Sequence, residues 1–158
     1  MLATLARRWG GRPWFAVVGR AYMRLDRLLG VATQGRFVAL GQRELPSLLI
    51  TTTGRSTGRP RTSPLLYAPD GGAFVVIGSN WGQAHHPGWS ANLLAHPEAV
   101  VTLGGRSVPV RARLIEGAER ERLRELLLRV WPAYATYEQR AQGRQLRVFR
   151  LEPITTAR

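Results

Sequence analysis

Between Ser47 and Tyr67 the chain reads as two apolar strands joined by a turn crowded with arginine. Leu48, Leu49 and Ile50 form a short apolar run, and Leu65, Leu66 and Tyr67 form a second one after Pro64. Gly54 and Gly58 bracket the turn, with Arg55, Arg59 and Arg61 set around it. Runs this short, bounded by glycine and proline, suit buried strands better than helices. The segment is therefore a hairpin whose mouth holds three guanidinium groups. Glycine lets a backbone approach a ligand closely, and arginine offers forked donors that match phosphate and carboxylate. An anion clamp beside an apolar sheet and a solvated basic turn both satisfy this pattern.

The same punctuation continues downstream. Strands are expected at about 47–53, 63–68, 73–79, 99–104, 107–115 and 146–151. Asp70-Gly71-Gly72 and Gly104-Gly105 supply hairpin turns between neighbours. A helix is expected from Pro87 to about His96, and a longer one from about Ala118 to Trp131. The second carries Leu123, Leu126, Leu127 and Val130 on one face and is stopped by Pro132. About six short strands with two intervening helices predict a mainly β, α+β chain built on an antiparallel barrel.

Residues 14–29 have helical period. Trp14, Val18, Ala21, Tyr22, Leu25, Leu28 and Leu29 share a broad apolar face, opposite Arg20, Arg24 and Arg27. Such a basic amphipathic helix can pack over one end of a barrel, or lie on an anionic membrane surface. The chain is accordingly divided into a basic N-terminal segment, 1–36, and a barrel domain, 37–158. Arg7-Arg8 is followed by an apolar run that Arg20 interrupts, which argues against an export signal. A cytoplasmic protein, with contact to the inner face of the membrane as an option, is the expectation.

Composition removes several chemistries. Cysteine is absent, so disulfides, thiol catalysis and cysteine-bound metal are excluded. All 23 basic residues are arginine, so Schiff-base chemistry and a P-loop lysine are excluded too. Asp26 and Asp70 are the only aspartates, which leaves paired-carboxylate catalysis poorly supplied. His85, His86 and His96 lack an accompanying carboxylate cluster, so no metal site is expected. The net charge of +13 favours anionic partners. No nucleic-acid-binding motif accompanies it, and a nucleic-acid partner is not expected.

Two further segments could carry chemistry. Gly78-Ser79-Asn80-Trp81-Gly82 leaves an apolar strand and leads through His85-His86-Pro87-Gly88 to Trp89, Ser90 and Asn92. Small polar groups at a strand end beside indole rings suit a flat heterocycle; a glycine-rich loop with core tryptophans fits equally. Trp131, Tyr134 and Tyr137 recur at spacing three and share one side of a helix or of successive turns. Their phenols could donate protons, or the three rings could simply pack.

Taken together, Thr51–Arg61, Gly78–Trp89 and Asn92-Leu93 leading to His96-Pro97-Glu98 resemble the deazaflavin-dependent nitroreductase and F420H2-dependent quinone reductase family. The resemblance runs from about Ser47 to Pro153. It implies a split β-barrel that binds coenzyme F420. Arg55, Ser56, Thr57, Gly58 and Arg61 would cradle the phosphate and acidic tail, with Arg59 beside them. Ser56 stands where many members have lysine, and Arg59 can supply that contact. Pro64 and Leu65 would lie along the ring system. Ser79, Asn80, Trp81 and Gly82 would line its reactive end, supported by Trp89 and Asn92. Tyr134 and Tyr137 would face the substrate, while Trp131 replaces the first aromatic hydroxyl of the family pattern.

By resemblance the chain is an oxidoreductase that passes a hydride from reduced F420 to a quinone, an enone or a nitro compound. Ser79, Tyr134 and Tyr137 are the catalytic candidates, as hydrogen-bond or proton donors to the acceptor. An FMN-dependent oxidoreductase on the same fold is one alternative. A non-catalytic cofactor-binding or membrane-surface protein is the other.

Overall fold

The computed structural model describes residues 9–21 and 45–154. Seven strands form one antiparallel sheet: β1 (Ser47–Thr53), β2 (Pro60–Leu66), β3 (Ala68–Asp70), β4 (Ala73–Ile77), β5 (Glu98–Leu103), β6 (Arg106–Ile115) and β7 (Val148–Pro153). Across the sheet they run in the order β2-β1-β5-β6-β7-β4-β3. The two edge strands, β2 and β3, are separated in the chain by Tyr67 alone. A flat sheet would hold those edges about 29 Å apart, six spacings of about 4.8 Å. One residue cannot span that gap, so the sheet curls until its edges meet. Tyr67 donates its N–H to the Pro46 carbonyl at 3.0 Å at this corner. The product is an α+β fold on a curled antiparallel half-barrel.

The curl gives the sheet an inside and an outside. Leu48 and Ile50 of β1, Val101 of β5, Val110 of β6, Val76 of β4, and Phe149 and Leu151 of β7 fill the inside. Helix α2 (Gly88–Ala95) plugs it with Trp89 and Leu93; here α1 denotes the helical residues 13–21. On the outside, Val75, Ile77 and Val148 meet Leu123 and Leu127 of α3 (Gly117–Val130). Tyr134 and Tyr137 of α4 (Tyr134–Arg140) join the same layer. Burying each large apolar side chain contributes about 1.5–3 kcal/mol, so the two layers dominate stability.

The expected elements appear with instructive shifts. The strand expected over 63–68 is two strands that bend at Tyr67, and β2 starts earlier, at Pro60. Proline stalled the sequence reading there, yet β2 is an edge strand, where a missing N–H is tolerated. The last strand lies two residues later than expected, at Val148–Pro153. Helix α4 and a single 3-10 turn at Asn80–Gly82 add to the two helices read from periodicity.

Of the helix expected over 14–29, residues 13–21 are helical, and the rest lies outside the described residues, as does the 36–37 boundary. Its packed side differs from the expected one. Phe15 and Ala16 face the protein, whereas Trp14, Val17 and Val18 are 50%, 58% and 58% exposed. The cause is Gly19: a Cβ there would lie 2.4 Å from the Trp81 ring, so only glycine lets α1 sit this close.

Asp70, in the β3–β4 hairpin, ties the sheet to α3. Arg122 donates to both its oxygens, at 2.9 and 3.2 Å, and Arg150 lies 3.4 Å away. The Arg122 hydrogen bonds, helped by both positive charges, hold the Asp70 carboxyl below its ordinary range. A depressed folded-state pKa stabilises above the unfolded value and is lost as pH falls through the folded one. Asp70→Asn should therefore cost about 1 kcal/mol at pH 7, or about 2–4 °C in Tm. The gap between variant and parent should close as pH falls through the depressed folded-state pKa of Asp70, where the native carboxyl is protonated as well. Equal Tm values at pH 7 would show that the pair adds nothing.

Candidate active site

The turn after β1 is held in shape by its own backbone. Gly54 N–H donates to the Arg59 carbonyl at 2.8 Å, and Gly58 N–H to the Gly54 carbonyl at 2.7 Å. Thr57 Oγ1 accepts from Arg59 N–H at 3.3 Å. Arg55, Ser56, Thr57, Gly58, Arg59 and Arg61 all point into water. Six other arginines, Arg111, Arg113, Arg120, Arg122, Arg124 and Arg150, each meet a carboxylate. Among the described residues no carboxylate pairs with Arg55, Arg59 or Arg61. Three exposed guanidinium groups thus stand on one backbone-bonded turn, an arrangement whose charge favours anions.

A buried carboxamide fixes this turn to the barrel. Asn92 of α2 is 5% exposed. Its Oδ1 accepts from Arg55 N–H at 3.1 Å, and its Nδ2 donates to Thr52 Oγ1 at 3.0 Å. Thr52 Oγ1 in turn donates to the Arg61 carbonyl at 3.4 Å. One side chain thus grips both limbs of the hairpin. Pro64 and Leu65 follow on β2, paired with Leu49 and Leu48. Trp89, one turn before Asn92, is buried 5.9 Å from the Phe149 ring and supports α2 from the barrel interior.

The loop that leaves β4 leads into α2. Gly82 N–H donates to the Ser79 carbonyl and Gln83 N–H to the Asn80 carbonyl, both at 3.0 Å. Asn80 and Trp81 are left-handed, with φ of 44° and 57°. Asn80 Nδ2 donates to the His85 carbonyl at 3.0 Å. Gly82 is required twice over. Its φ is +76°, and a Cβ would stand 3.0 Å from the Tyr137 carbonyl and 2.9 Å from Arg140 Cβ. Ser79, Asn80 and Trp81 are half-buried, and the turn packs against α4.

Rings cluster behind this loop. Trp81 lies 5.8 Å from Tyr137, Tyr134 lies 6.2 Å from Tyr137, and Phe15 lies 6.4 Å from Trp81 and 6.2 Å from Trp131. Tyr137 donates its phenol proton to the Gly10 carbonyl at 2.9 Å, and Arg140 donates to the Gly11 carbonyl beside it. Tyr134 is 6% exposed and sits within the outer layer. Burial pushes both phenols above the usual tyrosine range, so both stay neutral and protonated. Their surroundings are a packed aromatic layer that the N-terminal segment covers.

Of the two loops read from sequence, the arginine turn is bonded to Asn92 in the middle of α2, and the Asn80–Gly82 turn packs against Tyr137 and Arg140 of α4. Two participants carried no sequence signal: Phe15 lay outside the expected apolar face, and Arg144 was one arginine among 23. Thr52 lies within the Thr51–Arg61 segment but had no role assigned from sequence. Among the described residues no three of His, Asp and Glu are placed to share a metal ion.

Comparison with known proteins follows the same segments. The family model for F420H2-dependent quinone reductases matches residues 21–153. An F420H2-dependent quinone reductase of Mycobacterium tuberculosis is 36% identical over 99 residues, covering 63% of this chain. The match spans 66% of that relative, just under two thirds of its length. A solved F420H2-dependent reductase superposes with a TM-score of 0.63 at 35% identity, covering 68% of this chain and 94% of that one. Its curled sheet is of the split-barrel type, as here. With the family model matched over residues 21–153, most of its length, this chain belongs to the F420H2-dependent quinone reductase family.

Proposed function

We propose that this protein is an F420H2-dependent reductase that delivers a hydride to an electron-poor small molecule, with quinones ahead of enones and nitro compounds. The observation that carries the reading is the arginine turn. Arg55, Arg59 and Arg61 have no carboxylate partner among the described residues, and Asn92 holds the turn preformed. A ligand with a phosphate and an acidic tail fits such a cradle. The deazaflavin supplies a two-electron hydride to the acceptor when bound.

The chain's own residues do the rest. Arg55, Arg59 and Arg61, with Ser56, Thr57 and Gly58, bind the charged tail, while Pro64 and Leu65 offer the ring an apolar edge. Asn80, Trp81 and Gly82 border the reactive end, and the Trp81 indole keeps water from one side of it. As the acceptor gains electrons, its oxygen becomes anionic and needs a donor. Ser79 is the best-placed hydroxyl in our reading, because it is only half-buried, whereas the Tyr134 phenol is buried. Tyr134 stands behind it as a protonated phenol. Tyr137 acts differently: its proton is engaged by Gly10, so it anchors the N-terminal segment over the aromatic layer.

A peripheral contact with an anionic membrane surface has one observation behind it, the exposure of Trp9, Trp14, Val17 and Val18 on one segment. Trp at an interface beside arginine suits a lipid boundary. Flotation with anionic vesicles, abolished by Trp14→Ala, is the expected result; no flotation in any lipid would remove this contact from the account.

The site makes a separable prediction for binding and turnover. Arg61→Ala should raise the F420 dissociation constant about tenfold to a hundredfold, the equivalent of about 1.5–3 kcal/mol for a charged hydrogen bond, and the effect should shrink in high salt. Ser79→Ala should leave that constant unchanged and lower turnover with a quinone by a similar factor. Fluorescence titration and steady-state kinetics on the two variants check both halves. Tighter binding of FMN than of F420 would instead favour the flavin reading. Unchanged turnover in Ser79→Ala would pass the donor role to Tyr134, which Tyr134→Phe then tests.

A further inference from the structure

Arg144 occupies the turn between α4 and β7, and its whole side-chain head is spent on one loop. Nη1 donates to the Gly78 carbonyl at 3.0 Å, Nη2 to the Ser79 carbonyl at 2.8 Å, and Nε and Nη2 to the Gln83 carbonyl at 3.0 and 2.8 Å. Nη1 also meets His86 Nδ1 at 3.3 Å. No carboxylate among the described residues shares this cation. Burial, reinforced by the nearby Arg147 charge, pushes its pKa down, so the arrangement carries a cost. Burial, with the Arg147 and Arg144 charges, likewise holds His86 below the usual imidazole range, which keeps Nδ1 free to accept.

The three gripped carbonyls flank the strained part of the loop. Two successive non-glycine residues, Asn80 and Trp81, hold positive φ. Such residues persist only where the surroundings over-determine them. Arg144 supplies that over-determination from outside the loop. It also sets direction: in a trans peptide the C=O and the following N–H point opposite ways. Turning the Ser79 carbonyl onto Arg144 therefore turns the Asn80 N–H away from it.

We propose that Arg144 is a positioning residue for the reaction: by gripping the carbonyls of Gly78, Ser79 and Gln83 it holds Asn80 and Trp81 left-handed, and so aims Ser79 and the Asn80 backbone at the reactive end of the cofactor. The catalytic half of this inference rests on the F420 reading above. The structural half stands without it.

The test compares Arg144→Met and Arg144→Lys with the parent by amide hydrogen exchange and by kinetics. In Arg144→Met, exchange at Gly82 and Gln83, whose N–H groups close the turn, should speed up at least about tenfold, while amides of β1, β5 and β6 keep parental protection. Turnover with a quinone should fall about tenfold to a hundredfold, with the dissociation constant for oxidised F420 changed less than about threefold. Arg144→Lys keeps one donor head and should fall between the two in both readouts; it also carries the comparison if the Met variant does not fold. Unchanged exchange at Gly82 and Gln83 in the variant that folds would overturn the grip. Faster exchange with parental turnover would overturn the positioning role. Failure of the parent itself to bind F420 would overturn the cofactor reading and the catalytic half with it, and the exchange result identifies which of the two has failed.

Discussion

Two sheet edges that must meet through a single residue, Tyr67, set the shape on which the rest of this molecule depends. Because the sheet curls, it has an interior narrow enough for one short helix to plug. Trp89 and Leu93 do so from α2. That insertion fixes α2, and Asn92 on α2 holds the arginine turn. The Asn80–Gly82 turn packs against α4 instead. The proposed site places the charged tail of the cofactor at the first turn and its reactive ring at the second.

Charge is distributed in keeping with this division. Residues 64–105 contain no arginine, although the chain carries 23. On the sheet and helices, Arg111, Arg113, Arg122 and Arg124 are tied to Glu98, Glu119, Asp70 and Glu138, where ion pairs brace one element against another. On the β1–β2 turn arginines meet no carboxylate among the described residues. From the turn between α4 and β7, Arg144 meets the carbonyls of the loop after β4 and the His86 imidazole. One residue type thus meets carboxylates, water or backbone carbonyls according to where it stands.

Much of this was legible before any coordinates. Short apolar runs between Gly, Pro and Asp-Gly turns located the strands, and Leu123 and Leu127 located the long helix, because burial imposes period on side chains. The arginine turn and the Gly78–Gly82 loop stood out because glycine beside polar or basic residues is a local signal. Less was legible where the cause is long-range. Proline hid the start of β2, since only the sheet order shows that it is an edge strand. The face of α1 depends on Gly19 meeting Trp81, and the bond from Tyr137 to Gly10 joins positions 127 residues apart. Arg144 has no local signature, because its role lies in carbonyls about sixty residues earlier.

The central claim is that the arginine turn and the Asn80–Gly82 turn are two ends of one F420 site. Amide chemical shifts recorded while oxidised F420 is added test it directly. The account predicts that Arg55–Arg59 and Ser79–Gln83 shift together, along one saturating curve, while barrel-interior amides such as Val101 and Val110 stay in place. Shifts confined to one of the two turns, or saturation at different cofactor concentrations, would contradict it.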